Sequence, residues 1–331
     1  MSQDSVKSTL RAQQFAVAVG LLLLLIKFGA YFYTHSTTIL TDALEGVVNI
    51  AAGTFAWYSL WLSSKPKDQD HPYGHGKIEF LSAGFEGALI LAASVMIMLK
   101  AIVSFHHVQP LEHLGIGMML LAGTGAANFL LGVFLVNRAK KYRSLVLEAD
   151  GQHLKTDAYI SAAILVGVAL IWLTKIVWLD SLFAVIGAAV IAVTGWKLVR
   201  KSLVGIMDET DVAIVDPIVS HLSANRKPGW IDLHNLRVIQ YGSTLHLDCH
   251  ITFPWYWNLE QVHSEIDIVD DTVNRFYPQP VEVFIHPDPC IPESCRLCEL
   301  ICTRRQHTFE KQVAWTLSNT ISNKKHRLSA S

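Results

Sequence analysis

Ala149-Asp-Gly-Gln-His153-Leu-Lys-Thr-Asp157-Ala-Tyr-Ile-Ser-Ala-Ala-Ile-Leu-Val-Gly-Val-Ala-Leu-Ile-Trp-Leu173 is long and apolar enough to cross ~30 Å of hydrocarbon, which takes roughly 20 helical residues. Its first half nevertheless carries ionisable groups. His153 and Asp157 are four residues apart, so a helix sets them on one face, one turn apart. Residues 38–62 repeat the arrangement, with Glu45 and Asn49 at the same spacing. Working outward, the apolar segments number six, near 15–34, 38–62, 79–104, 114–137, 149–173 and 176–199. The second and fifth are the least pure. The run Phe15–Thr34 has no small-residue cleavage pattern behind it and reads as a retained span rather than a removed signal peptide.

Composition agrees with a membrane protein. Of 331 residues, 51% are hydrophobic and 17% charged, against about 25% charged in ordinary soluble domains; mean hydropathy is +0.32. A net charge of −1 lacks the basic footprint of a nucleic-acid binder. Loop charges orient the bundle. Lys7 and Arg11 precede the first segment, and Lys65, Lys67 and Lys77 follow the second. Arg138, Lys140, Lys141 and Arg143 follow the fourth, and Lys197, Arg200 and Lys201 the sixth. The opposite loops hold His35, then His106, His107 and His113, then Lys175. Excess Lys and Arg marks the cytoplasmic side. The expectation is a multi-pass protein of the cell (inner) membrane with both termini cytoplasmic.

After Gly205 the pattern becomes that of a soluble α+β domain. Val212, Val215, Ile218, Val219 and Leu222 have helical spacing. Trp230–Tyr241 and Leu245–Phe253 read as strands joined at Gly242-Ser243. Asn258 caps a further helix, with Gln261 completing a capping box; Leu259, Val262, Ile266, Val269, Val273 and Phe276 line its apolar face. Val281–Ile285 forms a last strand. The α-β-β-α-β order predicts a small ferredoxin-like domain. The chain thus divides into residues 1–207 (six-helix membrane domain), 208–290 (cytosolic domain) and 291–331, a Cys-rich and polar tail expected to be poorly ordered.

An ionisable side chain within a membrane helix is costly unless paired or serving an ion pathway. Two helices each offering an i, i+4 polar pair can close a tetrahedral cage for Zn²⁺; polar helix–helix contacts are the alternative. Asp42 and Asp150 are candidate gate or proton-relay groups. Binding needs neutral imidazole and ionised carboxylates, so protons leave as the ion enters, and His153, with a reference pKa near 6.5, is the expected coupling residue.

Ser36–Glu45 (STTILTDALE), the loop His71-Pro-Tyr-Gly-His75-Gly-Lys77-Ile-Glu79 and His153-Leu-Lys-Thr-Asp157 resemble the cation diffusion facilitator family over roughly residues 10–290. The resemblance implies a homodimeric exporter in the lipid bilayer, working by alternating access and commonly exchanging Zn²⁺ or a related ion for protons. It implies a transport site at Glu45, Asn49, His153 and Asp157, a loop metal site at Asp68, His71 and His75, and cytosolic metal sites at His234, His250, His263, His286 and Asp288. It also implies a Lys77–Asp208 salt bridge tying the bundle to the dimer interface. The sequence departs from the family at two positions, where the usual pair is Asp or His followed by Asp. Glu45 is longer and Asn49 is neutral, so the four ligands carry −2. One imidazole favours Zn²⁺ over Mg²⁺ or Ca²⁺; Fe²⁺, Co²⁺ and Mn²⁺ stay open.

Cys290, Cys295, Cys298 and Cys302 form C-x₄-C-x₂-C-x₃-C, a pattern suited to thiophilic ions or to a reduced tail without a ligand role; Cys249, alternating with His250, faces the other way into the core. There is no H-E-x-x-H and no phosphate-binding loop, so neither a metallohydrolase nor an ATP-driven pump is expected, and the protein is not read as an enzyme. A membrane metal sensor that binds without transporting is the other reading.

Overall fold

The computed structural model describes residues 3–34, 37–104, 114–174, 178–242, 244–278 and 280–328. His35, His106, His107, His113, Lys175, Ser243 and the side chain of Asp42 lie outside the described residues. The chain divides into two units, Ser2–Ile206 and Met207–Ser331.

The first unit is six helices, α1 (Gln3–Thr34), α2 (Thr37–Ser63), α3 (Ile78–Ser104), α4 (Leu114–Tyr142), α5 (Leu145–Thr174) and α6 (Trp178–Ile206). The shortest has 27 residues, about 40 Å at 1.5 Å per residue, enough to span a bilayer. Leu22, Leu25 and Phe32 on α1 are 58%, 63% and 68% exposed. Apolar exposure on that scale suits a lipid neighbour. Among the described residues three helical stretches meet length and hydropathy requirements together: Val6–Tyr33, Ile78–Leu99 and Met118–Tyr142.

Small residues set the closest helix contacts, as expected where packing rather than hydrophobicity joins helices. A Cβ at Gly132 on α4 would lie 2.7 Å from the Gly151 carbonyl on α5, and one at Gly87 on α3 would lie 2.9 Å from the Val199 nitrogen on α6. Neither helix pair can come so close with a larger side chain at these positions.

The second unit holds α7 (Val212–Ala224), β1 (Asp232–Tyr241), β2 (Thr244–Phe253), α8 (Leu259–Phe276), β3 (Val281–Pro289) and α9 (Leu317–Thr320). The sheet order is β1-β2-β3, with β1 and β2 antiparallel and β2 and β3 parallel. The expected α-β-β-α-β order is present. Period-two alternation on β2 sends Leu245, Leu247, Cys249, Ile251 and Phe253 into the core, against Val215, Ile218, Val219 and Leu222 of α7 and Val269 and Val273 of α8. The Asn258–Gln261 capping box forms as expected. Val212 and Leu259, at the exposed first turns of their helices, are 58% and 81% exposed and contribute nothing to the core.

The expectation of a poorly ordered tail is corrected. Trp315 is 4% exposed and belongs to the domain core, with Arg226 stacked over its ring at 4.4 Å. Arg226 also donates through Nη1 to the Val313 carbonyl at 2.8 Å. The Asn235 N–H donates to the Ser322 carbonyl at 2.7 Å. Polar composition concealed a single aromatic anchor. Trp315→Ala should cost about 3–5 kcal/mol, as for other buried aromatics; thermal unfolding and proteolysis of the tail would measure it, and an unchanged tail would refute the anchor.

Candidate metal sites

In the membrane unit, α2 and α5 meet through the expected side chains. Asn49 Nδ2 donates to Asp157 Oδ2 at 2.7 Å, and Asn49 Oδ1 lies 3.0 Å from His153 Nε2. His153 Nε2 is 3.8 Å from the same Asp157 oxygen. Three of the four expected residues therefore form one connected group. Glu45, one turn before Asn49, is exposed in the protomer. Two neighbours went unread in the sequence. Gln13 on α1 donates to Asp150 Oδ2 at 2.6 Å and to the Gly53 carbonyl at 3.1 Å, satisfying the buried carboxyl. Glu86 on α3 is 1% exposed, with Oε2 3.8 Å from His153 Nδ1. An acidic residue mid-span was the available signal for it. A cavity of about 40 Å³, room for a water molecule or a small ion, is lined by Gly20, Lys27, Gly46, Asn49, Asn128 and Asp150 among others.

The loop between α2 and α3 folds on itself because Gly74 adopts φ +88°, a conformation that costs glycine little. Asp68 then meets both histidines: Oδ1 lies 3.0 Å from His71 Nδ1 and Oδ2 3.3 Å from His75 Nε2. The backbone N–H of His71 donates to Asp68 Oδ1 at 2.7 Å. That hydrogen bond, followed by the His71 and His75 rings, holds the Asp68 carboxyl below its usual range in spite of some desolvation. One ligand atom from each of the three residues lies within 4.8 Å of the others.

Strand register builds the third site. His234 pairs with His250 and His250 with His286, so three imidazoles stand abreast on adjacent strands. A β-bulge interrupts β1 just after His234, where Asn235 takes φ +50°, a conformation Asn tolerates; bulges re-aim the neighbouring side chain. Asp288, two residues beyond His286 and hence on the same face, is central. Its Oδ2 lies 3.3 Å from His234 Nε2 and 3.4 Å from His250 Nδ1, and its Oδ1 lies 3.3 Å from His286 Nδ1. The compact ligand group is His234, His250 and Asp288; His286 flanks it, and His263 stands exposed on α8 without joining it. Imidazole and carboxylate in this number suit Zn²⁺.

The tail adds groups that the sequence did not point to. His326 Nδ1 hydrogen-bonds Asp232, whose other oxygen is 3.1 Å from His234 Nδ1. Lys325 Nζ lies 3.6 Å from Asp288 Oδ2. Burial alone would raise the Asp232 carboxyl, but hydrogen bonds from His234 and His326 outweigh it and hold the group far below the usual carboxylate range.

Cys290, Cys295, Cys298 and Cys302 are free and half-buried. Arg305 organises their loop, donating through Nη2 to the carbonyls of Cys298 and Leu300 at 2.7 and 2.6 Å. Burial raises the Cys290 and Cys298 thiols. The four sulfurs do not make a compact ligand group of the kind found at the other two sites. Cys249, as expected, is core, and burial pushes its thiol up to about 12. Iodoacetamide at about pH 8, near the ordinary thiol pKa of ~8.5, should leave Cys249 unmodified in the folded chain and label it after denaturation. Mass spectrometry reads the result, and labelling of Cys249 in the folded chain would contradict its burial.

Comparison with known proteins agrees with this arrangement. A family model described as the cation efflux transmembrane domain matches residues 14–207, and one described as the cation efflux protein cytoplasmic domain matches residues 213–290. An uncharacterized transporter of Synechocystis sp. is 32% identical over 259 residues, covering 78% of this chain and 83% of that protein. The cation-efflux pump FieF of Salmonella arizonae is 29% identical over 310 residues, covering 91% of this chain and all of that protein. FieF of Shewanella oneidensis is 28% identical over 283 residues, covering 84% of this chain and 93% of that pump.

Proposed function

Since the chain belongs to the cation diffusion facilitator family of metal-cation efflux transporters, we propose that it exports a divalent metal ion from the cytoplasm, Zn²⁺ foremost, in exchange for protons. The observation that carries this reading is the Asn49–His153–Asp157 group joining α2 to α5. Glu45 completes the transport site when α2 shifts against α5 in alternating access. His153 couples the two fluxes: its Nε2 must be free of a proton to bind the ion, so ion and proton compete for one lone pair. Asn49 contributes a carbonyl oxygen without charge, which weakens the preference for a hard, highly charged ligand set and leaves Fe²⁺, Co²⁺ and Mn²⁺ as further substrates.

The cytosolic residues His234, His250, His286 and Asp288 hold regulatory metal. The carboxylate of Asp288 already touches all three imidazoles, a geometry suited to bridging two ions. His263 is a further ligand available at a dimer interface. Filling this site brings two cytosolic domains together and biases the access state of the bundle. Asp68, His71 and His75 hold a loop-borne ion on the cytoplasmic side. Both termini are cytoplasmic in this reading, as the excess of Lys and Arg in the same loops requires. The cysteines of the tail deliver thiophilic metal to the neighbouring histidine site.

Proteoliposome flux tests the proposal. The wild-type chain should move Zn²⁺ against an imposed pH gradient, with Fe²⁺, Co²⁺ and Mn²⁺ as comparisons. Asp157→Ala should lower flux by roughly 100-fold, taking the upper end of losses seen when metal-site groups are removed, and His153→Ala should abolish the dependence on the gradient. Metal binding without flux in the wild type would mark a sensor and sink the transporter reading. An unchanged pH dependence in His153→Ala would reassign the coupling.

A further inference from the structure

We infer that Glu86 is a third acidic group of the transport centre, acting on the cargo ion through His153; the inference rests on the transport-site reading above. Glu86 sits on α3, outside the two helices that supply the Asn49–His153–Asp157 group. Its side chain is 1% exposed, and neither carboxylate oxygen has a hydrogen-bond partner. A buried carboxyl in that state is costly and calls for an explanation. Its near neighbour is His153 Nδ1, 3.8 Å away, which is itself buried and without a hydrogen-bond partner. Two orphaned polar groups face each other across a gap slightly longer than a hydrogen bond.

The two nitrogens of His153 point in different chemical directions. Nε2 faces Asn49 Oδ1 at 3.0 Å and Asp157 Oδ2 at 3.8 Å, so an ion held by those residues takes the Nε2 lone pair. The ring proton then resides on Nδ1, on the side of Glu86. A metal-bound histidine almost always donates its other N–H to a carboxylate, a backbone carbonyl or water, which fixes the tautomer and ring orientation and strengthens the donor nitrogen. Glu86 is placed to be that acceptor, and the positive charge on the far side of the ring is what compensates its burial.

Charge points the same way. The ligand set Glu45, Asn49, His153 and Asp157 carries −2, because Asn49 is neutral. Ionised in the presence of the bound ion, Glu86 would bring the formal charge of the centre to −3 from a helix that supplies none of those ligands. Glu86 and Asn49 therefore form a matched pair: the charge absent from α2 is present on α3, one imidazole removed from the ion. An ion bound to such a centre is held by a neutral oxygen at Asn49 with its counter-charge behind the histidine.

Metal binding by the full chain in detergent, with flux in proteoliposomes as a second readout, tests this. The transport-site component is defined as the Zn²⁺ binding lost in Asp157→Ala. Glu86→Gln keeps an acceptor for Nδ1–H and removes the charge; it should weaken that component roughly 10- to 100-fold, the range for groups that orient metal ligands, and raise the KM for flux with a smaller effect on kcat. Glu86→Asp should retain most of the affinity. Adding Asn49→Asp to Glu86→Gln should recover it, since the centre regains its charge. Wild-type affinity in Glu86→Gln would overturn the inference. So would weakened binding that Asn49→Asp fails to rescue in a double variant with the wild-type unfolding temperature, because the loss would then be one of packing. If the wild type has no binding component sensitive to Asp157→Ala, the transport-site reading itself falls and this inference with it. Failure of Glu86 alone leaves that component intact, so the two failures are distinguishable.

Discussion

Polar groups placed between helices in a membrane have little water to fall back on, so their partners come chiefly from neighbouring helices. The contact between α2 and α5 meets that constraint with three side chains: Asn49 donates to Asp157 and presents its carbonyl to His153. Nearby, Asp150 is satisfied by Gln13 from α1. These groups hold the impure spans in place. The close approach of α4 to α5 at Gly132 and Gly151 and of α3 to α6 at Gly87 sets the frame around them. An ion entering this group has to replace hydrogen bonds among its own ligands, and so meets donors already converged rather than scattered.

The cytosolic unit solves a different problem with the same residue types. Its ligands are brought together by register rather than by helical spacing. Antiparallel β1–β2 and parallel β2–β3 pairing puts His234, His250 and His286 side by side, and the bulge after His234 allows its ring to meet Asp288. The opposite face of β2 is apolar and packs against α7 and α8, so the histidine-bearing face is supported from behind by a rigid core.

Much of this could be read from the residues in order. The i, i+4 pairs on α2 and α5 revealed themselves by interrupting apolar runs, and the capping box at Asn258 marked the start of α8. Other features depend on relationships that a linear pattern does not carry. Nothing in Leu245–Phe253 says that its neighbour β3 runs parallel to it, and the alignment of three histidines follows only once it does. Glu86 sits between Phe85 and Gly87 with only Ser82 as a polar neighbour one turn away, so it has no i, i+4 ligand partner of the kind that marked α2 and α5. The tail misled because its composition is polar; one tryptophan in the core outweighs many solvated residues in deciding whether a segment docks.

That docking bears on how the histidine site responds to metal. Lys325 lies 3.6 Å from Asp288, and His326 holds Asp232, the carboxylate next to His234. The segment is tethered, so its ammonium group competes with an incoming cation at an effective concentration that a free amine in the cytosol would reach only near the millimolar range. A cation entering this histidine face would have to displace or rearrange a built-in positive charge. A fragment ending at residue 290 would lack both the Lys325 ammonium beside Asp288 and the His326 partner of Asp232.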